Sequence, residues 1–133
     1  MPFLTTTKFY TPELLRSHSD KYFVFGDNTR RQGHGGQAAI RDEPNALGIA
    51  TKFAPNNVQA AFFKDNATSF AVLKHELQVV SVIARTQTVV LPVTADGLLN
   101  IGTGLSAMPT RCPQLFHEMQ RWFLRQTIEG NLR

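Results

Sequence analysis

Cysteine is nearly missing from this chain: Cys112 stands alone among 133 residues. An internal disulfide is therefore excluded, and the chain reads as a protein of the reducing cytoplasm. No apolar run approaches the roughly 20 residues that a membrane-spanning helix needs. The opening Met1-Pro2-Phe3-Leu4-Thr5 has neither a basic stretch nor a long apolar core, so no signal peptide is read there and no membrane partner is expected. Metal ligands are sparse as well. Cys112 and His117 complete no ligand spacing with a second pair, so no metal site and no cofactor are expected. The first glycine loop, Gly33-His34-Gly35-Gly36, is not a G-x-G-x-x-G fingerprint, since its spacing is wrong and it comes too long after the strand, and it is not a P-loop, since no Gly-Lys-Ser/Thr follows. No basic run interleaved with aromatics occurs, so a dedicated nucleic-acid platform is not indicated, although a modified nucleic acid stays open as a substrate. No repeat, low-complexity stretch or linker divides the chain. Its length suits a single domain over residues 1–133, with room for a sizeable core.

Negative charge is the scarcer sign. Ten acids face fourteen bases, and nine of those bases are arginine, for a formal net charge of +4. This fits a mildly basic surface or a site for an anionic ligand, and composition does not choose between them.

Local signals give an order of elements. Thr11-Pro12-Glu13 reads as an N-cap with proline in the first turn of a short helix that ends near Asp20. Residues 21–25 form a strand, 33–42 a loop and brief helix, and 47–52 a second short strand. Residues 55–66 are rich in turn formers. Asn66 can cap a long helix whose inward face carries Phe70, Leu73, Leu77, Val80 and Ala84. Residues 88–93 are the clearest buried strand, with Pro92 marking an end or edge of the ladder. Asp96-Gly97 is a turn. Pro113 opens a last helix with Leu115, Phe116, Met119, Trp122 and Phe123 as its apolar stripe, and the tail beyond Gln126 reads as frayed. Strands alternating with helices predict an α/β fold, a three-layer α/β/α sandwich with a mostly parallel sheet, whose ligands sit at the carboxyl ends of the strands.

Two glycine segments fall at such strand ends. The first runs Phe25-Gly26-Asp27-Asn28, a basic spacer, then Gly33-His34-Gly35-Gly36-Gln37-Ala38-Ala39-Ile40. The second is Asn100-Ile101-Gly102-Thr103-Gly104-Leu105-Ser106. Clustered glycines before a helix start place backbone N–H groups around one point, which suits a phosphate, although such glycines also serve plain tight turns. Together the two segments predict a site that grips a nucleotide diphosphate from two sides.

These segments resemble the macro-domain signature, over most of residues 22–52 and 89–123. In that family a strand ends in Asn, a glycine-rich loop follows, and a second glycine loop precedes the final helix. Gly48-Ile49-Ala50-Thr51-Lys52 is similar to the strand ending in Thr-Lys of the subgroup that hydrolyses ADP-ribose linkages. The chain is also similar to small phage and bacterial proteins that share the Phe-Gly-Asp-Asn, Gly-Gly-Gln-Ala and Gly-Thr-Gly-Leu segments. The resemblance implies a macro-like domain that binds ADP-ribose or a related NAD-derived nucleotide, with ADP-ribosylated DNA or protein as the macromolecular partner. On that basis Asn28 contacts the distal ribose. Gly26, Gly33, Gly35, Gly36, Gln37 and Thr51 line the ligand, and Gly102, Thr103, Gly104, Leu105 and Ser106 cradle the diphosphate.

If the chain is an enzyme, the resemblance implies hydrolysis of an ADP-ribosyl glycosidic bond. Lys52 would be nucleophile or electrostatic stabiliser, Asn28 the positioner, and His34 or Asp27 the proton carrier. Lys52 has two further readings, a phosphate-binding cation and a solvated surface group. His34 is read equally as an exposed loop residue. Arg30, Arg31 and Arg41 flank the first loop, one of them facing the anion. Ser106 stands where the hydrolytic subgroup has Asp, which favours the alternative of a non-catalytic module that sequesters a nucleotide, in a phage- or defence-linked setting.

Overall fold

A computed structural model describes residues 3–102 and 106–132. Five strands form one sheet in the order β3-β2-β4-β1-β5, and every pairing is parallel. The strands are β1 (Phe3–Thr6), β2 (Lys21–Asn28), β3 (Ala46–Lys52), β4 (Thr88–Pro92) and β5 (Ile128–Asn131). The helices are α1 (Pro12–Arg16), α2 (Ala67–Ile83), α3 (Met108–Arg111) and α4 (Pro113–Leu124), with short 3-10 turns at Gly36–Ile40 and Gln59–Ala61. The expected α/β fold with a parallel sheet is what the chain adopts. No helix among the described residues is long and apolar enough to cross a membrane.

Alternation along the strands sorts the core onto two faces. Val24, Val89 and Leu91 pack with α2 and α4 through Leu73, Leu77, Val80, Leu115, Met119 and Phe123. Phe23, Phe25 and Val90 pack on the opposite face with Tyr10, with Leu15 of α1, and with Ala38 and Ile40 of the first 3-10 turn. That second covering is thin, because α1 has five residues and ends at Arg16 rather than near Asp20. Thr11 caps α1 by accepting from the Leu14 N–H, and Asn66 caps α2 by accepting from the Ser69 N–H.

Besides the end of α1, four further points differ from expectation. β2 extends three residues past Phe25, to Asn28, because β3 pairs with it along that stretch. β1 went unread. It has only four residues, and its Thr5-Thr6 end lacks an apolar signature. The tail does not fray: residues 128–131 pair with β1, held further by the Thr5 hydroxyl donating to Asn131 Oδ1. Phe70 turns outward, whereas Leu73, Leu77, Val80 and Ala84 are buried as expected.

The free edge of β3 is blocked from within. Glu76 of α2 is buried and accepts the Ala50 N–H at 3.0 Å. The Phe53 N–H bonds Ala61 O, and Lys52 bridges to Phe62. An edge strand so covered cannot template pairing with another chain over those residues.

Candidate functional site

β2 and β4 pair only from Lys21–Phe23 against Thr88–Val90. Beyond that register β2 continues with β3 alone, and the sheet splits at its carboxyl edge. The chain leaves β2 toward β3 on one side, while β5, which follows β4 in sequence, lies on the other side. This is the switch-point geometry at which open parallel sheets bind ligands. A cleft of about 730 Å³ occupies the split and runs across the ends of β1, β2, β3 and β4.

The floor of the split is backbone against backbone. A Cβ placed on Gly26 would lie 2.0 Å from the Ile101 carbonyl oxygen, so only glycine admits this approach. Gln37 spans the same gap. Its Oε1 accepts the Gly26 N–H at 2.9 Å and its Nε2 donates to Asn100 O at 2.7 Å. Gln37 lines the cleft, yet both ends of its amide serve as a strut between the two glycine segments.

The first loop is held by charge. The Asp27 side chain is only 2% exposed and accepts from Arg41 at 2.6 Å and from Arg31 at 3.2 Å. Its Oδ1 also accepts the Asn28 N–H. Arg31 reaches on to Glu76, which links the loop to α2 and the β3 edge. A Cβ on Gly48 would sit 2.4 Å from Asp27 Oδ2, so the carboxylate lies where β3 has no side chain. Arg41 donates to the Gln32 and Gly33 carbonyls as well, and lies 5.5 Å from the centre of the Phe25 ring. Asn28 Nδ2 donates to Gln32 O, and its Oδ1 accepts the Arg30 N–H.

These bonds take up the Gln32 and Gly33 carbonyls, and the Gly35 carbonyl accepts the Ala38 N–H. The N–H groups of Gly33, His34, Gly35 and Gly36 donate to no acceptor among the described residues. Gly33, Gly35 and Gly36 line the cleft.

At the β3 end, Lys52 donates to Asn56 O at 2.8 Å, and its ammonium lies 4.4 Å from the centre of the Phe62 ring. Arg111 stacks on the same ring at 3.8 Å. Burial, and then the Arg111 charge, hold the Lys52 amine below the ordinary lysine value.

A model of a family of unknown function matches residues 5–122. The chain belongs to that family, DUF7831. Comparisons with curated proteins and with solved structures find no match. The expected membership of the macro-domain family is thereby corrected, since the family found is a different one. The resemblance rested on short glycine segments, and a parallel sheet with loops at its carboxyl edge produces such segments in unrelated chains.

Within this DUF7831 chain, Gly26, Asp27, Asn28, Gly33, Gly35, Gly36, Gln37, Thr51, Lys52, Gly102 and Ser106 line one cleft. Thr103, Gly104 and Leu105 lie outside the described residues. His34 is not among the lining residues. Its ring is 60% exposed and pairs with exposed Asp42 at 3.1 Å. Asp27 is likewise engaged by two guanidinium groups and acts as their counterion. Of the three flanking arginines, Arg41 lines the cleft. Cys112 is buried outside it, and burial pushes its thiol up to about 11, far from a reactive thiolate. Sequence reasoning missed the wall made by Thr6, Thr7, Lys8 and Phe9, because β1 had not been read as a strand.

Proposed function

We propose that this protein binds ADP-ribose or a related NAD-derived nucleotide in the carboxyl-edge cleft, as a binding module. The observation that carries the reading is the first glycine loop. The Gln32 and Gly33 carbonyls are taken up by Arg41 and Asn28, and the N–H groups of Gly33, Gly35 and Gly36, which line the cleft, donate to no acceptor among the described residues. Such a run of free donors is a concavity for phosphate oxygens. Charge agrees. Lys8, Arg41 and Lys52 line the cleft against one carboxylate, Asp27, which Arg31 and Arg41 already neutralise. Charge-assisted bonds to an anion are the strong ones.

Titration calorimetry with ADP-ribose, AMP and NAD tests this. Micromolar binding of ADP-ribose, about 8 kcal/mol, is the expected result. Gly35 supplies a clean control. Nothing lies within 4 Å of a Cβ placed there, so Gly35→Glu is expected to change stability by less than about 0.5 kcal/mol. The added carboxylate beside the loop donors is expected to abolish binding. Unchanged affinity in that variant would exclude the loop as the anion site.

Hydrolysis of an ADP-ribosyl bond is the second reading, favoured by one observation. Lys52 lines the cleft at the end of β3, and burial and the Arg111 charge lower its pKa from the ordinary lysine value, the direction that a lysine nucleophile requires. Lys52→Ala is then expected to stop release of ADP-ribose from an ADP-ribosylated substrate while weakening binding no more than about tenfold, roughly 1.4 kcal/mol. A variant that releases ADP-ribose at the wild-type rate would remove Lys52 from the chemistry.

A further inference from the structure

The cleft has two chemically different ends. At the β3 end Thr51, Lys52 and Asn57 line it, and the wall is polar and cationic. At the other end, above β1 and β4, the lining includes Phe9, Pro92 and Val93 beside Thr6, Thr7 and Lys8, so an aromatic ring and apolar side chains join the polar wall there. In the strand order β3-β2-β4-β1 these ends lie three strand spacings apart, roughly 14 Å at about 4.8 Å per spacing. The N–H groups of the first glycine loop follow β2, between the two ends.

Among the described residues Phe9 is the most exposed of the large apolar side chains, at 81%. This exposure is built into the fold. The preceding Lys8 N–H is tied to the Thr6 hydroxyl at 3.0 Å at the end of β1. The following Tyr10 is buried, and its hydroxyl donates to Val24 O at 2.7 Å. The segment is fastened on both sides of one phenyl ring that borders the cleft. An aromatic face held open to water beside a cleft is a stacking platform.

We propose that Phe9 is the base-stacking residue of this site, so that the nucleotide lies with its aromatic base at the β1 end and its distal group toward Lys52. The inference rests on the reading of the glycine loop as the diphosphate site and adds the orientation of the ligand. Asp27 is the one carboxylate among the described lining residues, and it is committed to arginines. No acidic side chain is therefore available at the Phe9 end to read an exocyclic amine. Stacking on the ring accepts any base, and purines are favoured by their larger area.

The test compares wild type, Phe9→Ala and Phe9→Trp, each titrated with ADP-ribose and with inorganic pyrophosphate. Phe9→Ala is expected to weaken ADP-ribose about tenfold or more and to leave pyrophosphate unchanged, with Phe9→Trp restoring the difference. Equal ADP-ribose affinity in wild type and Phe9→Ala overturns the proposal. So does an equal loss for both ligands. Wild type that binds pyrophosphate and gains nothing from the nucleoside overturns the base platform while sparing the anion site. Wild type that binds neither overturns both readings.

Discussion

Gly26→Ala is expected to lower stability by about 3 kcal/mol or more, at the upper end of what overpacking costs. The new methyl would meet the Ile101 carbonyl oxygen at 2.0 Å and its carbonyl carbon at 2.5 Å. Both are main-chain atoms, so no side chain can rotate away, and the segment after β4 must lift off β2. That movement also breaks the Gln37 strut between the Gly26 N–H and Asn100 O and leaves polar groups without partners. Urea unfolding is the measurement. The midpoint is expected to fall with little change in slope. A midpoint equal to wild type would mean that the two segments do not meet at Gly26. Nucleotide binding is expected to be lost at the same time, because the floor of the cleft is the contact being pushed apart.

Asp27→Ala is expected to destabilise by about 3 kcal/mol, the low end for breaking a buried ion pair. Arg41, with a side chain 12% exposed, keeps the carbonyls of Gln32 and Gly33 but loses its only carboxylate among the described residues. Arg31 is 47% exposed and retains Glu76, so its share of the loss is small. Gly48 makes the prediction specific. A methyl there collides with Asp27 Oδ2 at 2.4 Å and meets the Asp27 Cβ at 3.0 Å, so Gly48→Ala is expected to be harmful in wild type and less harmful once Asp27 is alanine, which removes the first contact and keeps the second. A double-mutant cycle measures this directly. Additive effects would show that the carboxylate does not lie over Gly48.

Much of the frame was legible because its signals are local. Thr11 and Asn66 announce their helices by offering side-chain oxygens to orphan N–H groups three residues on, a bond that needs no tertiary partner. Residues 88–92 announce a central strand by being apolar on both faces, as a strand covered from two sides must be. Phe70 misled because helical spacing names a face only to within one residue of its margin, and this ring stands exposed at that margin. β1 and β5 were invisible because each has four residues and little apolar patterning. They are strands only because β1 completes a ladder with β4 on one side and with β5 on the other.

The candidate site divides in the same way. By itself the sequence determined that two glycine segments follow strands and that a parallel α/β sheet would bring them to its carboxyl edge. This is so because strand–helix alternation leaves little choice of connection. Tertiary structure alone decided what the polar residues there are for. Asn28 and Gln37 brace loops, Asp27 balances two arginines, His34 faces solvent, and Phe9 stands open at the far end of the cleft. A side chain's partners come from segments 14, 45 or 63 residues away, as with Arg41 for Asp27, Glu76 for Arg31 and Asn100 for Gln37. Residue type and spacing carry no information about which of those distant segments arrives beside it.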